Sequence, residues 1–215
     1  MSISNTLNSK KLDSNKIEIP ESQWIHKWGI DKENAEQLYQ MILDSKPEVI
    51  IETGTFEGQG TYVLAQAAHH NNNKCRIYTI DYDGDPTSSD ITQEQWLQLK
   101  TVRSNNIENI NKKFPNCEVI FLDGDSRQVL PNIFDKYNEK KCDFFYQDSM
   151  HFFDGIMSEW KIIEPYLVKD SICIFDDLWL KNVQKFRDWF FKNYSNTFEC
   201  FNNLTGHKQL ITKKL

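Results

Sequence analysis

The chain has 215 residues, on the order of one domain, and is long enough to bury roughly 70% of its unfolded surface. Hydrophobic residues at 39% and aromatic residues at 13%, with 14 Phe, 8 Tyr and 6 Trp, exclude a disordered chain. Lys and Arg number 25 against 31 Asp and Glu, a formal charge of −6. That balance argues against nucleic acid as a partner, because phosphate backbones demand clustered positive charge.

No apolar run approaches the roughly 20 residues that span a bilayer, so no membrane partner is expected. Met1 to Lys16 is rich in Ser, Asn and Lys and lacks the apolar core of a secretory signal. It reads as a mobile tail on a cytoplasmic protein. The five cysteines (Cys75, Cys117, Cys142, Cys173 and Cys200) are dispersed and never form a CxxC pair. They read as small buried hydrophobes, not as a disulfide framework or zinc knuckle.

In chain order, a helix is predicted from Lys32 to Ser45, with Asp31 as N-cap, Ala35, Leu38 and Ile42 on one face, and Pro47 as its stop. The β-branched run Glu48 to Thr53 follows as a strand, then a glycine-rich turn and a helix from Thr61 to His70. The alternation continues with Cys75–Ile80 (strand), Thr92–Lys113 (helix), Cys117–Leu122 (strand), Ser126–Tyr137 (helix) and Cys142–Tyr146 (strand). Phe153–Tyr166 (helix), Ser171–Phe175 (strand) and Val183–Tyr194 (helix) come next. Thr197–Phe201 and His207–Thr212 close the chain as an antiparallel hairpin at one edge. Five apolar strands separated by helices predict an α/β fold: a doubly wound, mostly parallel seven-stranded sheet with helices on both faces. Residues 1–30 form a tail and candidate lid carrying Trp24, His26 and Trp28, and residues 31–215 form the single domain.

In such a sheet ligands bind at the carboxyl ends of the strands, so the residues just after each strand carry the chemistry. After the first comes Glu52-Thr-Gly-Thr-Phe-Glu-Gly-Gln-Gly60. Here Gly54 suits a tight turn under a ligand, and Gly58 and Gly60 suit a close helix start. The spacing is GxxxGxG, not the GxGxxG of a dinucleotide fold, which disfavours an NAD-dependent oxidoreductase. Asp81 after the second strand can accept from both hydroxyls of a ribose, or serve as a cap or solvated turn residue. The run Asp81-Tyr-Asp83-Gly-Asp85 fails as a calcium loop, with Pro86 where Gly is needed and Thr92 where a bidentate Glu is needed. Asp123-Gly-Asp-Ser126 after the third strand could hold an adenine edge. Asp148 and His151 follow the fourth strand, and Asp176-Asp177 follow the fifth. If those strands are neighbours, three carboxylates converge, and a hard divalent cation such as Mg²⁺ would relieve their repulsion. His151 suits a general base beside such a site, or a structural hydrogen bond at a helix start.

The ordered set Glu52-Thr-Gly54…Gly58, Asp81 and Gly124-Asp-Ser126 resembles class I S-adenosylmethionine-dependent methyltransferases over about Val49 to Leu178. Asp148-x-x-His151 and Phe175-Asp-Asp177 are similar to the metal-dependent small-molecule O-methyltransferases of catechol and antibiotic-tailoring sugar type. The resemblance implies that Glu52, Gly54, Thr55 and Gly58 border the methionine part of the cofactor and that Asp81 binds its ribose. It implies that Gly124, Asp125 and Ser126 lie beside the adenine, with Asp148 also against the cofactor. Asp148, Asp176 and Asp177 would hold Mg²⁺ or another hard divalent cation, and His151 would be the base, with Asp148 as its catalytic companion. Met150 stands where antibiotic-tailoring relatives often carry an acid. The acceptor implied is a hydroxylated small molecule: a sugar, a catechol or a natural-product intermediate. Competing readings are a metal-independent methyltransferase acting on nitrogen or on a protein, and a non-catalytic nucleotide-binding module. A homo-oligomer is left open.

Overall fold

The computed structural model describes residues 17–19, 29–82, 92–203 and 208–215. The expected tail Met1–Lys16, the lid residues Trp24, His26 and Trp28, and the acids Asp83 and Asp85 lie outside the described residues.

Helix α1 (Lys32–Ser45) starts where Asp31 accepts the Asn34 N–H at 2.7 Å and ends at Lys46 in the left-handed region, ahead of Pro47. Strand β1 (Val49–Thr53) leads into α2 (Gln59–His70), and β2 (Cys75–Asp81) precedes α3 (Gln93–Lys113). The N-terminus of α3 is a capping box in which Thr92 and Gln95 bond each other's backbone N–H. Then come β3 (Cys117–Asp123), α4 (Ser126–Asp135), β4 (Cys142–Gln147), α5 (Phe153–Ile163) and a 3-10 turn at Glu164–Tyr166. The chain closes with β5 (Leu167–Phe175), α6 (Lys181–Tyr194), β6 (Phe198–Asn203) and β7 (Gln209–Lys214). Strand β5 begins four residues before the predicted start. Its polar Lys169-Asp170 stretch is a bulge, with Asp170 at φ +69 and a register shift against β4 between Cys142 and Phe144.

The seven strands form one sheet in the order β3-β2-β1-β4-β5-β7-β6, with β1 to β5 parallel and β7 antiparallel to both its neighbours. This is the doubly wound sheet with a closing hairpin that the alternation predicts. Strand alternation sends Ile50, Ile77 and Phe144 to the face covered by α1 and α2, and Val49, Ile51, Phe145 and Phe175 to the face covered by α4, α5 and α6. Four of the five cysteines are buried within these layers, and burial pushes the Cys173 thiol up to about 12. Among the described residues no helix is long and apolar enough to cross a membrane. Strand order reverses between β1 and β4, so their following connections diverge to opposite faces and open a crevice.

The second layer is tied together by Trp160 on α5. This fully buried indole packs on Phe190 (4.9 Å between ring centroids), Tyr194 (5.3 Å) and Phe198 (5.6 Å), edge to face. Truncation to alanine would leave a cavity that the rigid sheet cannot close. Trp160→Ala should therefore lower the unfolding free energy by about 3–5 kcal/mol in urea titrations; a loss below about 1 kcal/mol would mean that this cluster does not organise the layer.

Candidate active site

The turn between β1 and α2 is shaped by contacts on both sides. Gly54 takes φ +94, and a Cβ there would stand 2.1 Å from the Asp148 carbonyl oxygen, so the turns after β1 and β4 touch backbone to backbone. The Gly54 N–H donates to Ile80, and the Asp148 N–H donates to Thr53 at 2.8 Å, which locks the three strand ends together. Glu52 is 1% exposed and accepts from the Thr61 and Thr79 hydroxyls through Oε2, whereas Oε1 has no protein partner. Gly60 packs directly against it: a Cβ there would meet Glu52 Oε1 at 2.6 Å and would have to displace the carboxyl. Helix α2 begins at Gln59, two residues before the predicted start, directly after Gly58 in the left-handed region.

Asp81 ends β2 and is held by three groups. Its carboxylate accepts the N–H of Phe56 (2.6 Å) and of Tyr82 (2.8 Å), and the buried Arg103 reaches within 3.7 Å. After β3, Asp125 caps α4 and pairs with Arg127, which holds its carboxyl below the usual range. Ser126 donates to Glu159, a fully buried carboxylate on α5 that also accepts from Ser149 at 2.7 Å. Burial raises the Glu159 pKa against the pull of these hydroxyls.

At the ends of β4 and β5, one carboxylate oxygen each from Asp148 and Asp177 and one ring nitrogen of His151 lie within 4.8 Å of one another. His151 Nε2 is 3.0 Å from Asp177 Oδ2 and 3.8 Å from Asp148 Oδ1, without the alignment of a hydrogen bond. Burial and the Asp176 charge push the Asp148 carboxyl up, and His151 pulls it back. For His151, burial lowers the pKa but the carboxylates of Asp148, Asp177 and Asp176 raise it further. Asp176, beside them, is engaged within the protein: it accepts the Tyr146 hydroxyl at 2.7 Å, Asn34 Nδ2 at 3.3 Å and the Asp177 N–H at 2.8 Å. Asp177 is in the left-handed region at φ +57, and the Trp179 indole N–H donates to its Oδ1 at 2.7 Å.

One cavity of about 1320 Å³ joins these parts. Of the residues expected at the site, Glu52, Gly54, Thr55, Asp81, Gly124, Asp125, Ser126, Asp148, His151, Asp176 and Asp177 line it. Gly58 does not; it caps α2 at φ +89 and borders a separate cavity. Sequence reasoning misses Arg103, Tyr146, Glu159 and Trp179. The usable signal was a charged residue within an apolar helical stripe at Arg103, and an indole two residues after the paired acids at Trp179.

Glu52 carries a pH signature. Burial pushes its carboxyl up to about 7, above its ordinary value of 4.5. The folded state thus holds this proton more tightly than the unfolded chain, and stability is lost as pH rises through about 7. Glu52→Gln removes that loss: between pH 5 and pH 8, wild type should fall relative to the variant by on the order of 2 kcal/mol in urea unfolding. A pH-independent gap would contradict the buried carboxyl.

A family model described as "Methyltransferase domain" matches residues 51–178, the span from β1 to the turn after β5. No curated protein matches the chain. Among solved structures, the fold is shared with the calicheamicin methyltransferase CalS11, at TM-score 0.62 and 19% identity, covering 83% of this chain and 76% of that one. It is shared with the O-methyltransferase TomG of Streptomyces achromogenes, involved in tomaymycin synthesis and solved with SAM, at TM-score 0.66 and 12% identity, covering 99% and 94%. A third, the SAH-bound Podospora anserina methyltransferase PaMTH1, aligns at TM-score 0.62 and 13% identity, covering 99% and 87%. With more than half of its length matched and the strand order and glycine turn in place, the chain belongs to the methyltransferase-domain family.

Proposed function

We propose that this methyltransferase moves the methyl group of S-adenosylmethionine to a hydroxyl of a small molecule, assisted by a hard divalent cation such as Mg²⁺. The observation that carries the proposal is the single cavity in which the glycine turn and Asp81 face Asp148, His151 and Asp177 across the Gly54–Asp148 backbone contact. Its volume exceeds the roughly 300–1,000 Å³ of a site for one small ligand, leaving room for donor and acceptor together. Seven carboxylates line it against Arg127 and His151 among the described residues, a field that favours a sulfonium and a dication. The SAM and SAH held by TomG and PaMTH1 support the same donor.

The donor half of the cavity fits the cofactor group by group. Glu52 Oε1, buried and without a protein partner, is placed to accept from an ammonium. Asp81 retains lone pairs for ribose hydroxyls, and Gly124, Asp125 and Ser126 border the space left for the adenine. In the acceptor half, the oxygen donors Asp148 and Asp177 would hold the cation, with Asp176 behind them fixing Tyr146 and the Asp177 backbone. A bound dication would lower the pKa of an acceptor hydroxyl and offset the crowded carboxylates. His151, one-third exposed to the cavity, accepts the proton that the hydroxyl loses at Nε2, and Asp177 stabilises the imidazolium that results. The Trp179 bond to Asp177 Oδ1 leaves Oδ2 turned toward His151.

Binding experiments separate these roles. S-adenosylhomocysteine at 100 times its Kd should add about 2.7 kcal/mol of stability, an easily resolved thermal shift. Asp177→Asn should keep that shift and lose Mn²⁺ affinity by about tenfold or more, whereas His151→Gln should keep both. Absence of the shift in wild type would overturn the donor assignment. Equal loss of Mn²⁺ in both variants would make His151 a ligand in place of a base.

A further inference from the structure

The core-facing stripe of α3 carries Leu99, Arg103, Ile107 and Ile110 at helical spacing, all buried. Arg103 is 1% exposed, in a place where a leucine would pack and where a cation loses its hydration. Its guanidinium is directed at the site. Nε donates to the Phe56 carbonyl at 2.7 Å, Nη1 stands 3.7 Å from Asp81 Oδ2, and the group lies over the Phe121 ring at 5.2 Å. One turn further along the same helix, Asn106 Nδ2 donates to the next carbonyl, Glu57, at 2.7 Å. The circuit closes because the Phe56 N–H itself donates to Asp81 Oδ2. Phe56 meanwhile sits at φ +49, a left-handed conformation that a phenylalanine keeps only where its surroundings over-determine it.

We infer that Arg103 and Asn106 are positioning residues that hold the β1–α2 turn against Asp81, so that the turn and the carboxylate are pre-set for the ribose of S-adenosylmethionine. The inference rests on the assignment of this half of the cavity to the donor. Asp81 fixes the peptide before Phe56 through its N–H and Arg103 fixes the peptide after it through its carbonyl, so the two bonds together clamp the backbone on either side of the Phe56 Cα. Without the grip of α3, Phe56 and Glu57 relax out of the strained turn, the Asp81 carboxylate loses a donor, and the ligand must reorder both on binding. The buried cation is retained for pre-organisation of the site, which raises affinity without touching the ligand.

The test is S-adenosylhomocysteine binding by calorimetry, alongside urea unfolding, for wild type, Arg103→Met, Arg103→Lys and Asn106→Ala. Loss of a bond to a charged group predicts Kd increases of about 100-fold for Arg103→Met, about tenfold for Arg103→Lys and about fivefold for Asn106→Ala. Stability should run the other way for the first two, because Met fits an apolar stripe better than a buried Lys. Affinity that follows the number of donors therefore identifies positioning. Affinity that follows the urea midpoints, or stays within about twofold of wild type in folded variants, overturns it. Should Arg103→Met fail to fold, Asn106→Ala decides the matter at a half-buried position, and an unchanged Kd there overturns the inference. A wild-type chain without affinity for S-adenosylhomocysteine would instead overturn the donor-site assignment, and this inference with it.

Discussion

The backbone contact between Gly54 and Asp148 is the constraint on which the rest of the site depends. It lies where the strand order reverses, so two turns that leave the sheet toward opposite faces meet at their roots. A side chain at Gly54 would push the β4 turn away, and Asp148 with it. The contact also sets how close a donor over the first turn can come to an acceptor over the second, which is the quantity that governs a bimolecular transfer held in register. Strands β1 and β4 supply rigid rails for both sides, paired from Ile50–Phe144 to Thr53–Gln147.

Around that contact the chain buries charge that would otherwise be costly, and handles it in two ways. Glu159, Asp176 and Arg103 are engaged by protein partners: serines for the first, Tyr146 and Asn34 for the second, the Phe56 carbonyl and the nearby Asp81 carboxylate for the third. These groups shape the walls. Glu52 Oε1 and the Asp148–His151–Asp177 cluster, in contrast, present polar atoms to the cavity. The acidic excess of the composition is therefore partly a property of the site, not only of a solvated surface.

What was legible in the sequence follows the range of the forces involved. Helix α1 matches its predicted limits because its cap, apolar face and terminating proline all lie within one stretch of chain. Strand-end acids were legible because the fold class alone places them at one edge. The partners of Asp176 were not legible: its bond from Asn34 spans 142 residues, and nothing in the local sequence announces it. Arg103 was missed for a related reason. A charged residue in a helix reads as exposed unless the stripe it occupies is weighed, and its two partners come from distant parts of the chain, the β1–α2 turn and the end of β2. The start of α2 was misplaced because glycines suggest a loop, whereas Gly60 is helical and lies against the Glu52 carboxyl.

The central claim is that one cavity brings a sulfonium methyl and a cation-assisted hydroxyl together. It is tested most directly by incubating the protein with methyl-labelled S-adenosylmethionine and a panel of phenolic and sugar acceptors, with Mg²⁺ or with chelator, and following label and S-adenosylhomocysteine by mass spectrometry. The account expects label on an acceptor oxygen, in step with S-adenosylhomocysteine release, that requires Mg²⁺. Label on nitrogen, or equal rates in saturating chelator, would contradict it.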